Sequence, residues 1–286
     1  GNIITWAAGN GLDDDDDSNK DGYANARQTI AVTAITHEGQ QSWYAEPGAN
    51  ILVAAHSDGD GEGITTTDIA GSSGYTNNDY TDNFGGTSSA TPLASGVIAL
   101  MLEANANLTW RDVQHILVQS SRKNDPSDNS WNVNGVGYDV SHKYGFGAVD
   151  AGQAVAMAEN WTNVDPAINI TTNTRNVNTA IPDNSAPGIN DTVTINDNLQ
   201  IEHVEVYVDI DHVYRGDLVI TLTSPSGTES TLAQKQSDSN NNYRDWMFST
   251  VHNWDEFSNG NWTLNVEDQG NGDTGTWNDW ELVIHS

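Results

Sequence analysis

No cysteine occurs among the 286 residues, which excludes a disulfide framework, thiol catalysis and thiolate-held zinc together. Basic residues are scarce: 10 Lys and Arg stand against 40 Asp and Glu, a formal charge of −30. So acidic a chain repels phosphate backbones and anionic lipid surfaces, which argues against nucleic-acid binding and against a basic membrane patch. Long apolar runs are missing too. The longest, near Val97 to Leu102, is far too short to cross a bilayer, and Gly1-Asn2-Ile3-Ile4-Thr5 lacks the charged region and cleavage site of a signal peptide. Proline is sparse at 7, whereas Trp and Tyr reach 10 and 9, the balance of a folded chain.

The carboxylates make oxygen-ligand metals the natural choice, calcium first. Cut at Asn163, the two halves each carry a balance of −15, from 21 acids and 6 bases and then from 19 acids and 4 bases. The acidity therefore belongs to the whole surface, as in adaptation to salt or solubility.

The texture of the chain changes at the same place. Before it, Ile3 to Ala8 and Thr29 to Ile35 read as buried strands, being β-branched apolar runs closed by glycine or polar residues. From Ala90, the residues Leu93, Ala94, Val97, Ile98 and Met101 recur at helical spacing, with Pro92 expected in the first turn and Ser88 at the N-terminal edge. Thr109 followed by Asp112 predicts a capped second helix to about Ser121, and a third should cover Asp150 to about Glu159. An α/β domain over residues 1–162 is expected. Residues 163–190, rich in Asn and Thr, read as a linker with the first strands of a second domain, 163–286. There, Val204–Ile210, Leu218–Leu222, Trp262–Val266 and Trp280–Ile284 alternate apolar with polar side chains between turn clusters, the pattern of an all-β, jelly-roll-like sandwich.

The strongest local signal is Gly85-Gly86-Thr87-Ser88-Ser89-Ala90-Thr91-Pro92, where glycines deliver a hydroxyl to the start of a buried helix. Backbone N–H groups and the helix dipole would stabilise negative charge beside the Ser88 oxygen. A plain helix cap is the alternative.

The longer string Gly-Thr-Ser-x-Ala-x-Pro with Leu93-Ala94-Ser95-Gly96-Val97 resembles the nucleophile segment of subtilisin-like serine proteases. Trp6-Ala7-Ala8-Gly9-Asn10-Gly11 is similar to their oxyanion segment, and Tyr144-Gly145-Phe146-Gly147 to their late glycine-rich turn. Asp21-Gly22-Tyr23-Ala24-Asn25, Trp43-Tyr44-Ala45-Glu46 and Ser141-His142-Lys143-Tyr144-Gly145 resemble strings of the kexin and furin branch, the proprotein convertases. Arg215-Gly216-Asp217-Leu218, Ser224-Pro225-Ser226-Gly227-Thr228 and Gly260-Asn261-Trp262 resemble that branch's P domain. The resemblance implies a secreted, calcium-dependent serine endopeptidase that cuts polypeptides after Lys or Arg, often paired.

By the same resemblance, Ser88 is the nucleophile, Asn10 the oxyanion donor, Asp21 the carboxylate lining the pocket for the basic side chain, and Asp16 and Glu46 calcium ligands. The triad Asp and His should lie upstream, because neither of their boxes is present and none of the eight histidines stands in the expected context. The chain is then expected to be the C-terminal part of the catalytic domain plus the P domain, inactive without its missing N-terminal part. Ser18 and Lys20 replace cysteines common in animal convertases.

Other readings stay open. Asp17-Ser18-Asn19-Lys20-Asp21-Gly22 fits half of an EF-hand loop, though Gln28 stands where a glutamate is needed. A looser loop could use Asp13, Asp15 or Asp17, or the acidic run could be only a solvated loop. Arg215-Gly216-Asp217 reads as the structural start of a strand rather than an adhesion motif. For the whole protein, a degradative protease of broad specificity and a non-catalytic calcium-stabilised binding module are the alternatives.

Overall fold

Strand β1 (Ile4–Ala7) opens the computed structural model, which describes residues 2–286. Beside it lie β2 (Thr29–Ile35) and β3 (Ile51–His56), both parallel, in the order β1-β2-β3. Ile4 sits opposite Thr29 and Ala7 opposite Val32. The central strand β2 is covered on both faces, so its sequence is an apolar run rather than an alternation. As an edge strand, β1 alternates between exposed and half-buried residues.

A hairpin of β4 (Ile64–Thr67) and β5 (Tyr80–Phe84) separates the sheet from helix α1 (Thr87–Ala104). Ala90, Ala94, Ile98 and Met101 form the buried stripe of α1 and share one core with Ile30, Val32, Val53 and Ala55 of the sheet. The helix starts three residues before the apolar pattern does. Pro92 therefore falls in its second turn rather than its first, and has no N–H to return to the Ser88 carbonyl. The start is set by Gly86, which caps the helix with φ of 78°, a conformation an apolar-spacing argument does not register.

Helix α2 (Trp110–Ser120) has the expected reciprocal cap. The Thr109 N–H donates to Asp112 Oδ2 at 2.7 Å and the Asp112 N–H to Thr109 Oγ1 at 3.2 Å. A two-residue hairpin, β6 (Asn132–Val133) and β7 (Asp139–Val140), precedes α3 (Ala151–Ala158), capped by Asp150.

The second half is the expected sandwich. The segment read as linker and first strands holds β8 (Asn169–Thr171) and β9 (Arg175–Ile181), followed by β10 (Ile189–Ile195) and β11 (His203–His212). After a short turn at Arg215–Asp217 come β12 (Leu218–Thr223), β13 (Glu229–Ala233), β14 (Tyr243–Thr250), β15 (Gly260–Asp268) and β16 (Gly275–His285). One sheet runs β10-β15-β12-β13 and the other β14-β11-β16-β8, with β9 also on β16. Leu218, Ile220 and Leu222 of one sheet and Val204, Val206 and Val208 of the other are all buried at period two. Arg215 is ion-paired to Asp238 and lies over the Tyr243 ring, and Gly216 is buried, which gives the Arg-Gly-Asp turn a structural role.

The two cores interlock. Val251 and Trp254 of the second half belong to the first core, and Ala49 of the first half belongs to the second. The Val251 N–H donates to the Ala49 carbonyl at 3.0 Å. Polar contacts surround this exchange: Arg111 and His115 of α2 both bind the Glu202 carboxylate, His203 pairs with Gln114, and the Asn19 amide makes two bonds to the Ser249 backbone. Trp254, with no exposure, removes roughly 150–250 Å² from water, about 4–6 kcal/mol of transfer free energy.

Candidate active site

Where β1 ends, Gly9-Asn10-Gly11 makes a turn that only glycine permits at its first position. Gly9 has φ of 118°, and a Cβ there would lie 2.2 Å from Glu46 Oε1. The Asn10 side chain then meets the start of α1, its Oδ1 accepting from the Thr87 N–H at 2.8 Å and from the Thr87 hydroxyl at 2.9 Å. Both bonds use the acceptor end of the amide and leave Nδ2 as its donor. A point one Cβ length out from Gly86 is 3.4 Å from Asn10 Nδ2, 3.5 Å from Asn10 Oδ1 and 3.6 Å from the Ser88 nitrogen. Two nitrogens thus border one small space, which a side chain at position 86 would fill.

Ser88 is the second residue of α1 and is exposed. Its neighbours are not: Thr87, Ser89 and Ala90 are buried, so the helix start is rigid around one accessible hydroxyl. None of the eight histidines is hydrogen-bonded to Ser88. They are engaged elsewhere instead, His37 with Asp60, His115 with Glu202, His142 with the Thr231 N–H, His203 with Gln114, His212 with Asp268 and His285 with Glu205. His56 binds the Thr36 carbonyl, and His252 packs on the His142 ring at 4.2 Å.

The acidic loop sits beside the same turn. Glu46 is 8% exposed and accepts the Gly11 N–H at 2.8 Å. Burial pushes its carboxyl up to about 7, with Asp16 and Asp21 adding to the rise and the Gly11 and Asn10 N–H groups opposing it. Asp16 is exposed and borders Gly11 from the other side: a Cβ on Gly11 would lie 3.0 Å from Glu46 Oε1 and 3.4 Å from Asp16 Oδ2. Asp21 is exposed as well, its Oδ1 accepting from the N–H groups of Tyr23 at 2.7 Å and Ala24 at 3.2 Å. Tyr23 stacks on Trp6 at 4.7 Å.

Asp17 differs from its neighbours. It is 3% exposed, caps the turn Ser18–Lys20 through the Asn19 N–H, and is held well above the usual carboxylate range by burial. The solvated-loop alternative therefore describes Asp13 to Asp16 but not Asp17. A single 3₁₀ turn precedes this loop, another lies within it and strand β2 follows it, unlike the helices of an EF-hand. Among the described residues no group of three or more His, Asp or Glu side chains is arranged to hold a metal ion.

A second set of residues secures the turn before Ser88. The Gly86 N–H is shared between Asp58 Oδ1 and Tyr44 Oη, each at 3.0 Å, and Tyr44 donates to the same Asp58 oxygen at 2.5 Å. Ser57 Oγ donates to the Gly86 carbonyl at 2.8 Å. In the sequence, Tyr44 and Thr87 stand out only as parts of longer strings, and Ser57 and Asp58 not at all. The Gly86 turn was the one available hint, since such a turn needs partners for its backbone.

Comparisons with known proteins show the family of the chain. The model of the subtilase family matches residues 1–147, and that of the proprotein convertase P-domain matches residues 201–284. The chain is similar to human furin, at 38% identity over 299 residues, covering all of this chain and 36% of furin. It is similar to furin-1 of Xenopus laevis at 39%, again across all of this chain and 36% of that protein. Proprotein convertase subtilisin/kexin type 5 of Rattus norvegicus is 37% identical and is covered over 16% of its length. The chain thus spans about a third, or less, of the curated relatives it matches. In fold it is similar to a serine protease of Aeromonas sobria crystallised with its chaperone, with a TM-score of 0.92 at 24% identity over the whole of this chain and 65% of that one.

Proposed function

Since the chain belongs to the subtilase family and is built as a kexin/furin-type fragment with a P domain, we propose that the full protein is a serine endopeptidase of the processing type. It cleaves polypeptides after Lys or Arg. The observation that carries this reading is the convergence of Asn10 and the Ser88 backbone on one small space beside an exposed serine hydroxyl.

Ser88 Oγ attacks the scissile carbonyl and yields its proton to a base. The carbonyl oxygen becomes an oxyanion held by Asn10 Nδ2–H and the Ser88 N–H, at the positive end of α1. Collapse expels the amine, which takes the proton, and water hydrolyses the acyl-enzyme. The base and the carboxylate behind it come from a segment outside this sequence, which also supplies neighbours for the open edge of β1.

Asp21 recognises the basic side chain by charge-assisted hydrogen bonds. Asp16 and Glu46, with backbone carbonyls and waters, hold a calcium ion. Two carboxylates supply only part of a calcium shell, but the Glu46 carboxyl, raised chiefly by burial and further by Asp16 and Asp21, would gain if a divalent cation replaced its proton. A cation held there would offset the negative charge of the acidic loop. The protein works in the secretory pathway or outside the cell.

Cleavage of a peptide library by the full-length protein tests the specificity, and a preference for Leu or Phe before the cut refutes it. Chelation should lower the melting temperature by mass action; an unchanged melting curve argues against calcium at Asp16 and Glu46. A second reading, a broad-specificity protease, draws on the proximity of Asp21 to Glu46, which would commit Asp21 to the cation. Asp21→Ala separates the two: loss of cleavage after Arg alone supports the first, general instability rescued by calcium the second.

A further inference from the structure

The geometry points to Asp58 as a positioning residue for the nucleophile turn, holding Gly86 through the carboxylate so that Ser88 and Asn10 keep their shared space. This rests on the reading of Ser88 as the nucleophile.

The argument starts from Gly86. Its backbone is fastened at both ends, N–H to Asp58 Oδ1 and Tyr44 Oη and carbonyl to Ser57 Oγ and the Ser89 N–H. Ser57 and Asp58 directly follow β3, so the turn is tied to the end of a buried strand of the central sheet. A glycine in the left-handed region has no side chain of its own to fix its orientation. Rotation there would swing Ser88 away from Asn10.

A carboxylate suits the position for two reasons. One oxygen receives both the Tyr44 hydroxyl and the Gly86 N–H, and an ionised acceptor makes the stronger bonds. The negative charge also lies at the capping residue of α1, where the helix dipole favours it. The rest of Asp58 fits closely under the turn: a Cβ on Gly85 would fall 2.1 Å from its carboxylate. Its outer side borders a cavity of about 220 Å³ shared with Trp43, Glu62 and Asn83. The atoms nearest the space between Asn10 and Ser88 belong to those two residues, whereas Asp58 bonds the Gly86 N–H, so it acts through Gly86.

The test uses the full-length protein and a fluorophosphonate probe that labels an activated serine, with peptide kinetics and a denaturation midpoint for each variant. Asp58→Ala should lower kcat and the labelling rate per folded molecule by about 10–100-fold, as expected for a small displacement of reacting groups, with KM within about twofold. Asp58→Asn, which keeps one oxygen acceptor, should recover most of that loss. Tyr44→Phe, which removes only the hydroxyl, should cost about fivefold in kcat. A purely structural role would lower the denaturation midpoint and leave labelling per folded molecule unchanged, and that result overturns the proposal. If Asp58→Ala does not fold, the other two variants decide, and a wild-type rate in Tyr44→Phe overturns it. Failure of the unaltered protein to react with the probe refutes Ser88 as nucleophile, a different result from equal reaction of protein and variants.

Discussion

Alanine lines much of the first core, with Ala34, Ala45, Ala90, Ala94 and Ala154 all at 0% exposure, whereas Trp262, Trp277 and Trp280 fill the sandwich at the same 0%. Each alanine contributes one methyl group, about 0.8 kcal/mol on burial, against roughly 4–6 for a tryptophan. What alanine provides is close approach. It lets α1 lie near the sheet, so that atoms from β1, the end of β3 and the helix start meet within hydrogen-bonding distance around Gly86. The tryptophan half fills its core with larger side chains, and Ser88 lies in the other half. Precision and stability are thus divided between the halves.

Four substitutions and one titration can break or sharpen that division. Ser88→Ala should reduce turnover of the full protein by about 10⁴-fold or more with an unchanged melting temperature, because the side chain is exposed. Retained turnover with a lowered melting temperature would reverse the roles of the halves. Trp262→Ala, in the sandwich, should cost about 3–5 kcal/mol in urea denaturation while fluorophosphonate labelling per folded molecule is preserved. Reduced labelling there would show that precision depends on both cores. Asn10→Ala should lower kcat by about 10²–10³, the cost of one oxyanion donor measured in a related enzyme, and a loss confined to KM would remove Asn10 from the oxyanion site.

The titration addresses the seam between the halves. Burial lowers His203 to about 3 and His142 to about 4, so both fold as neutral rings. Their stabilisation is complete above the unfolded value near 6.5 and is lost as pH falls toward 3–4. Glu202, lowered to about 2 against the opposing effect of burial by His115 and Arg111, adds stability above 4.5 that disappears between 4.5 and 2. Arg27, Glu205 and His285 also face His203. Unfolding free energies from urea denaturation at pH 7, 5.5 and 4.5 should fall by a total of a few kcal/mol, with falling midpoints, less steeply in His203→Asn. Equal midpoints would mean that the seam does not depend on these rings. The smallest effect belongs to Lys123→Ala, whose exposed pair with Asp139 should be worth about 0–1 kcal/mol by denaturation.

Much of the fold was legible because its signals are local. The run Thr29–Ile35 and the period-two strands β11, β12, β15 and β16 declare themselves within a few residues, as do the caps at Thr109 and Asp150. Ser88 and Asn10 stand out through strings that also lie within single segments. Asp58 and Tyr44 were not, being 28 and 42 residues from the Gly86 backbone they hold. Asp17 was hidden in a run of five identical residues, of which it alone is buried. His115 of α2 and His203 of β11 could not be given partners from sequence, because Glu202 and Gln114 come from the opposite half. The start of α1 was misjudged because apolar spacing sees the packed face and not the glycine that turns the chain into it.

Trp254 sets a rule for anyone dividing this molecule. An engineer who separates the halves near residue 163 leaves the plug of one interior on the other piece, so each fragment begins life with an oily hole or a stranded indole. Grafting the sandwich onto a different enzyme would succeed only where the recipient offers a matching socket. The boundary that counts for such work is drawn by that side chain, and not by the stretch of asparagine and threonine where the chain crosses over.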